Sequence, residues 1–372
     1  MSAEKAKAFG TVVAKLINSQ NLTRSESREM FFQVLNNEQS DMQQGAFLAA
    51  LTAKGATAEE IAGVWEAIYE LDTIKVSPEA DFPLVDNCGT GMDTLKTFNI
   101  STAASIIASA EGIPVAKHGA RAISSVCGTI DILEELGVDV ECDSGVVKKS
   151  IENAGIGIFN GMSPKIHPQA LGRILSQISF GTVLNIAASL ASPVLLKYAV
   201  RGVYAKEMLQ PVAEVMKEIG YKKALVVHGL SEDGTQGMDE ASTLGETFIA
   251  ELQEDGTIVN YSFLPEEFNI KRATKAEISP LAEREQEAAR LVEVLTGRDN
   301  GARSDIVCLN AALVLYLTNK SISIKEGYNK AKEIIRSGRA IAKLRSWVEE
   351  QNSNREKGLS KLERFIQFDP AL

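Results

Sequence analysis

Residues 83–142 constrain this chain more than any other stretch, because they hold two short apolar runs that each open into a polar, glycine-containing loop. Leu84-Val85 leads into Asp86-Asn87-Cys88-Gly89-Thr90-Gly91-Met92-Asp93. Ile113-Pro114-Val115-Ala116 leads into Lys117-His118-Gly119-Ala120-Arg121-Ala122-Ile123-Ser124-Ser125. Both read as strand followed by loop. Glycine lets successive backbone N–H groups turn toward a ligand and form a concave nest for an anion, with phosphate the natural guest. A helix beginning near Ser101-Thr102 adds free N–H groups and the positive end of its dipole. Taken alone, a Gly-Thr-Gly turn equally serves a purely steric need.

At 372 residues, the chain is long enough for two compact units or one large α/β domain with an appendage. Its 45% hydrophobic and 24% charged residues describe a globular protein with a substantial core. The net charge of −10 argues against nucleic acid and anionic membrane as partners, while leaving room for a local basic pocket at Lys117 and Arg121. The four cysteines, at 88, 127, 142 and 308, lack zinc or CxxC spacing, and no stretch resembles a secretory signal. We expect reduced thiols in a cytoplasmic protein. The most apolar run, Ile306 to Leu317, is too short to span a membrane.

Apolar periodicity divides the chain in two. Phe9, Val12, Val13, Leu16 and Ile17 form one helical face, ending near Asn18. Thr23 with Glu26 and Thr57 with Glu60 fit capping boxes, and Ser40 is a candidate cap for a third helix start. The expectation is a helical domain over 1–78, joined by part of 165–197. Residues 79–372 then form an α/β domain. Its expected strands are 83–86, 113–117, 138–142, 156–160, 199–204 and 223–228, with helices near 101–110, 129–136, 144–153 and 206–219. Such alternation calls for a mainly parallel sheet covered by helices, with ligands at the carboxyl ends of its strands. Asp255-Gly256 suits a hairpin turn between 248–252 and 258–264, and the last third returns to helix.

Asp239-Glu240 is the second constellation. At a turn, adjacent carboxylates can face one hard cation such as magnesium, while as a helix start they would merely cap and complement the dipole. The histidines at 118, 167 and 228 have no metal-ligand spacing, and no GxSxG elbow is present.

Gly89-Thr90-Gly91-x-Asp93, Thr97-Phe98-Asn99-Ile100-Ser101-Thr102, Lys117-His118-Gly119-x-Arg121, Gly128-x-x-Asp131 and Gly237-Met238-Asp239-Glu240 resemble the anthranilate phosphoribosyltransferases in order and spacing. The resemblance covers nearly the whole chain, through Asn310-Ala311-Ala312. It implies a nucleoside phosphorylase/phosphoribosyltransferase-like α/β fold with a small helical domain, a homodimer, and transfer of ribosyl phosphate from phosphoribosyl pyrophosphate to an aromatic amine. Gly89, Thr90, Gly91, Asp93, Thr97, Asn99, Ile100, Ser101, Thr102, Lys117, His118, Gly119, Ala120, Arg121, Ser124, Ser125 and Thr129 would contact the sugar donor. Ser101, Asp239 and Glu240 would hold magnesium. Lys117 and Arg121 would serve catalysis at the pyrophosphate, where negative charge develops as the anomeric bond breaks. The acceptor side, drawn from Ala120, His167, Arg173 and Gln177, departs from the family. Ala120 replaces an asparagine, and Leu175-Ser176-Gln177 stands where the family carries an arginine that recognises the anthranilate carboxylate. Losing a bidentate carboxylate partner costs on the order of 2 kcal/mol, so anthranilate is expected to be a poor acceptor.

Two other readings fit part of the pattern. Nucleoside phosphorylases share a similar run over Lys117 to Asp131 and would phosphorolyse nucleosides without a metal, against which Asp239-Glu240 argues. A non-catalytic binding protein on the same fold is the other.

Overall fold

A computed structural model describes residues 3–91, 93–122, 127–178 and 180–367. Helices α1 (Ala3–Ile17), α2 (Arg24–Leu35), α3 (Asp41–Lys54) and α4 (Ala58–Asp72) come first. Then follow β1 (Val85–Gly89), α5 (Ile100–Ala110), β2 (Val115–Gly119), α6 (Thr129–Glu135), α7 (Ser144–Ala154) and β3 (Ile156–Asn160). After α8 (Leu171–Gln177) and α9 (Leu184–Leu190) come β4 (Tyr198–Gly202), α10 (Leu209–Glu218), β5 (Lys223–Leu230), β6 (Gly237–Met238), β7 (Thr247–Leu252) and β8 (Ile258–Phe263). The chain closes with α11 (Lys275–Ile278), α12 (Arg284–Thr296), α13 (Ala302–Leu317), α14 (Ile324–Arg336), α15 (Arg339–Glu350) and α16 (Arg355–Gln367).

Two compact units result. The first contains the residues up to Lys75, Gly161–Pro193 and Glu214–Gly220. The second contains Val76–Asn160, Val194–Ala213 and the residues from Tyr221 on. In the first unit, Thr23 and Thr57 open α2 and α4 with reciprocal capping boxes to Glu26 and Glu60, each cap worth about 1 kcal/mol. Ser40 caps α3. The buried Asp72 carboxylate accepts from the N–H groups of Gln169 (2.5 Å), Ala170 (3.0 Å) and Leu171 (2.6 Å), which ties 161–193 to the end of α4. Trp65 Nε1 donates to the Leu190 carbonyl at 3.0 Å, adding α9 to the same bundle.

The second unit is built on a mixed sheet of order β3-β2-β1-β4-β5-β7-β8, with β6 paired to β5. Strands β1 to β5 run parallel in that order, while β7 and β8 form the antiparallel hairpin expected around Asp255-Gly256. Strand order reverses between β1 and β4, so their carboxyl ends open the crevice in which such sheets take ligands. Helix α13 is buried along almost its whole length and packs beside α5 and α14, which explains its apolar run without a membrane. Among the described residues no helix is long and apolar enough to cross a membrane.

Residues 138–142 are a correction: they form no strand. Val138 and Val140 are buried, which gives the period-2 pattern, but the main chain is engaged elsewhere. Val138 N donates to Leu133 O and Asp139 N to Gln351 O. The free edge of β3 is instead met by the Gln351 side chain, which accepts from Ile158 N and donates to Ile158 O, both at 2.9 Å.

Candidate active site

The Gly89-Thr90-Gly91 turn leaves the end of β1, where Gly89 lies in register with Gly202 at the end of β4. Between them sits Asp239, delivered by the short strand β6. A Cβ on Gly89 would overlap the Asp239 carboxylate, and one on Gly202 would overlap its main chain. Only glycine allows this approach. Gly91 N donates to Asp239 Oδ2 at 2.8 Å, and Thr90 N donates to Gly202 O at 3.0 Å. The turn therefore seats a carboxylate of the protein itself, with two of its N–H groups already used.

Asp93, Asp239 and Glu240 each place a carboxylate oxygen within 4.8 Å of the others. Burial, followed by the charge of Asp239, pushes the Asp93 carboxyl up to about 6, with Lys96 at 3.1 Å opposing. Burial, then the charges of Asp239 and Asp93, raises Glu240 well above the carboxylate range. Glu240 Oε2 is buried without a hydrogen-bond partner among the described residues. An unpaired buried oxygen in a cluster of mutually repelling carboxylates fits a hard divalent cation, which would satisfy the oxygen and offset the repulsion. Sequence reasoning placed Asp93 with the donor contacts and missed it as the third member of this cluster. Its spacing within Gly-x-Asp was the available signal.

This cluster carries a pH dependence. With no cation bound, a carboxyl whose folded pKa is raised stabilises the fold fully below the unfolded value, 3.8 for Asp93, and that contribution is lost as pH rises through about 6. The melting-temperature advantage of Asp93→Asn over the wild type, both in chelator, should grow from about pH 4 to about pH 7 and then level off. A constant difference across that range would contradict the assignment.

Helix α5 points its amino end toward the same strand ends. Asn99 precedes it with no side-chain cap, its Nδ2 donating instead to Cys127 O at 3.3 Å. Ser101 gives its carbonyl to Asn87 Nδ2 and Ser105 Oγ, and the buried Thr102 hydroxyl has no hydrogen-bond partner among the described residues. Ile100 is core. Thr97 is half-buried, and Thr129 opens α6.

The two expected cations are both engaged. Lys117 is fully buried, and its Nζ donates to the Asn87 carbonyl and to Ser105 Oγ. Burial pushes its pKa down, with Asp86 the main opposing charge. The Lys117 amine thus lies under the Gly89 turn and acts on that turn through Asn87. Arg121 extends to Glu134 (2.7 Å), Glu141 (2.9 Å) and Asp131 (3.3 Å), and the bonds to Glu134 hold its pKa high. Burial opposes ionisation of Asp131, but the N–H groups of Ala122 and Gly128, then Arg284 and Arg121, outweigh it and lower its pKa. His118 is buried at the end of β2, Gly119 closes that strand, and Ala120 O accepts from Ile130 N. Met92, Ser124 and Ser125 lie outside the described residues.

The acceptor-side candidates divide between the units. Ala120 belongs to the α/β unit, whereas His167, Arg173 and Gln177 belong to the helical one. Burial lowers the His167 pKa, and its Nδ1 lies 2.6 Å from Asp72 O. Arg173 donates to Gln44 Oε1 at 3.1 Å and to Val34 O at 2.9 Å. Gln177 ends α8 exposed.

Beneath the Gly89 turn lies a buried ionic group that the sequence reading did not assign. Arg201 Nη2 meets Asp86 Oδ2 at 3.2 Å, both residues being 1% exposed. Arg201 Nη1 reaches Cys88 Sγ at 2.7 Å, and the Cys88 thiol donates to Asp86 Oδ2 at 3.2 Å. Burial pushes this thiol up to about 12, so it stays protonated. Charged residues one and three places before glycines in otherwise buried strands were the signal.

Comparison with known proteins gives the family. The a/b domain of the glycosyl transferase family matches residues 81–341, and the helical bundle domain of the same family matches 11–71. The anthranilate phosphoribosyltransferase of Methanococcoides burtonii is 40% identical over 347 residues, covering 92% of this chain and 94% of that protein. The anthranilate phosphoribosyltransferase structure from Thermus thermophilus matches with a TM-score of 0.82 at 33% identity, over 91% of this chain and 98% of that one. The Saccharomyces cerevisiae enzyme in complex with PRPP and Mg matches in fold, with a TM-score of 0.81 at 24% identity over 95% of this chain and 99% of that one.

Proposed function

This chain belongs to the anthranilate phosphoribosyltransferase family, hence to the glycosyltransferases, and from that premise we propose that it moves ribosyl 5-phosphate from phosphoribosyl pyrophosphate onto an aromatic amine. The observation that carries the reading is the convergence of Asp93, Asp239 and Glu240 beside the Gly89–Gly91 turn, where the sheet order reverses. Asp239 and Glu240, with Asp93 and the Ser101 hydroxyl, would hold magnesium together with the donor. Bound there, the ion would supply positive charge to the departing pyrophosphate.

The remaining work falls to the chain's own residues. The amino end of α5, with Asn99 to Thr102, offers N–H donors to phosphate oxygens. Lys117 holds the Gly89 turn through Asn87. Arg121 serves the pyrophosphate by exchanging its carboxylate partners for phosphate oxygens. No covalent nucleophile is needed, because orienting the amine against the anomeric carbon supplies much of the rate. We place the enzyme in tryptophan biosynthesis, in the cytoplasm, as a homodimer.

Pyrophosphate release should require phosphoribosyl pyrophosphate, magnesium and an aromatic amine together. Tight binding of phosphoribosyl pyrophosphate with no turnover across many amines, or phosphorolysis of nucleosides without a metal, would favour the other readings. Arg173 is committed to Gln44 and Val34 within the helical unit, which supports anthranilate as a weak acceptor. Its Michaelis constant should exceed that of an acceptor lacking the carboxylate by about tenfold or more, the cost of burying a carboxylate without its cation. Efficient turnover of micromolar anthranilate would refute that part.

A further inference from the structure

Asn310 stands in the middle of α13, a helix otherwise buried with apolar residues, and is itself 4% exposed. Its carboxamide does not serve the helix alone. Oδ1 accepts from Ala241 N at 2.9 Å, Nδ2 donates to Ala241 O at 2.9 Å, and the second amide hydrogen goes to Ile306 O at 2.9 Å. Both main-chain groups of Ala241 are thereby held by one planar side chain. Ala241 directly follows Glu240, and the Glu240 carbonyl in turn lies against Gly229, where a Cβ would overlap it.

We propose that Asn310 is a positioning residue for the carboxylate cluster, fixing Asp239 and Glu240 from behind so that their oxygens stay converged on Asp93 despite mutual repulsion. The proposal rests on the cation-binding reading of that cluster. Carboxylates within 4.8 Å of one another gain by moving apart whenever no cation lies between them. On the Asp239 side, the Gly89–Gly202 seat blocks that movement. On the Glu240 side, the next residue is held by the paired bonds to Asn310, and α13 is too deeply packed to follow a drifting loop. A ligand set held in place before the ion arrives binds it more tightly than one that must be gathered.

The test is a titration of the whole protein with Mn²⁺ alone, followed by electron paramagnetic resonance, with melting temperatures measured in chelator. Asn310→Ala should weaken Mn²⁺ by about 10- to 100-fold, the range for groups that orient metal ligands. Val307→Ala, a cavity substitution on the same helix, should lower the melting temperature and leave Mn²⁺ affinity unchanged. Asn310→Asp keeps the acceptor for Ala241 N but loses the donors, and should weaken Mn²⁺ to a lesser extent. If Asn310→Ala does not fold, the comparison of Asn310→Asp with Val307→Ala decides. A folded Asn310 variant that binds Mn²⁺ as tightly as the wild type, or a Val307→Ala that weakens it equally, overturns the positioning role and leaves the metal reading intact. A wild type that binds no Mn²⁺ overturns both before any variant is compared.

Discussion

Asp239→Ala combined with Glu240→Ala should leave a folded protein whose magnesium-dependent transferase activity has fallen by more than about a hundredfold. Groups that merely orient metal ligands are worth about 10- to 100-fold, so loss of two ligands should exceed that. The sign of the stability effect separates this from general damage. Without a cation, the cluster holds carboxylates that burial and mutual repulsion disfavour, and alanine removes both penalties. The metal-free double variant should therefore melt no lower than the wild type. Magnesium should raise the melting temperature of the wild type only, with a stabilisation of about 2.7 kcal/mol at a hundred times the dissociation constant. Thermal denaturation with magnesium and with chelator measures both effects. A double variant that is still stabilised by magnesium would place the ion elsewhere.

Arg201→Met should destabilise the fold by about 3–5 kcal/mol, because it leaves the Asp86 charge buried without its partner. Asp86 and Arg201 bridge β1 and β4 just before the paired Gly89 and Gly202, so the loss falls directly beneath the seat of Asp239. Replacing both partners, as Asp86→Leu with Arg201→Met, removes the stranded charge but also the main charge opposing desolvation of the buried Lys117, so it should recover only part of the stability. Urea unfolding of the two variants provides the comparison. A single variant that loses under about 1 kcal/mol would mean that the ion pair does not hold these strands.

The parallel strands and their order in the chain were legible in the sequence because short apolar runs alternate with helical segments. The capping boxes at Thr23 and Thr57 fixed two helix starts outright. The false strand at 138–142 shows where pattern alone fails: burial of Val138 and Val140 gives a strand's alternation whether or not a neighbouring strand is available to pair. Within the last third, read as helical, the bounds of α15 were not legible although Ala340, Leu344, Trp347 and Val348 carry its apolar face, because charged residues crowd between them.

In the site, the motif residues were readable, but their partners were not. Sequence could mark Gly89 as a loop glycine; it could not show that the ligand of that loop is Asp239, 150 residues later in the chain. Lys117 and Arg121 read as free cations because their partners, Asn87 O and the Glu134–Glu141 carboxylates, come together only in the fold. Asn310 stood in the last stretch of the family resemblance and as a lone amide in an apolar helix, but its pairing with Ala241 was not legible.

The most direct measurement is calorimetric titration of the protein with phosphoribosyl pyrophosphate, in magnesium and in chelator, for the wild type and for Asp239→Ala with Glu240→Ala. The account predicts strong binding by the wild type in magnesium, much weaker binding in chelator, and no magnesium effect in the double variant. Equal affinity with and without magnesium, or a double variant that binds as the wild type does, would contradict it.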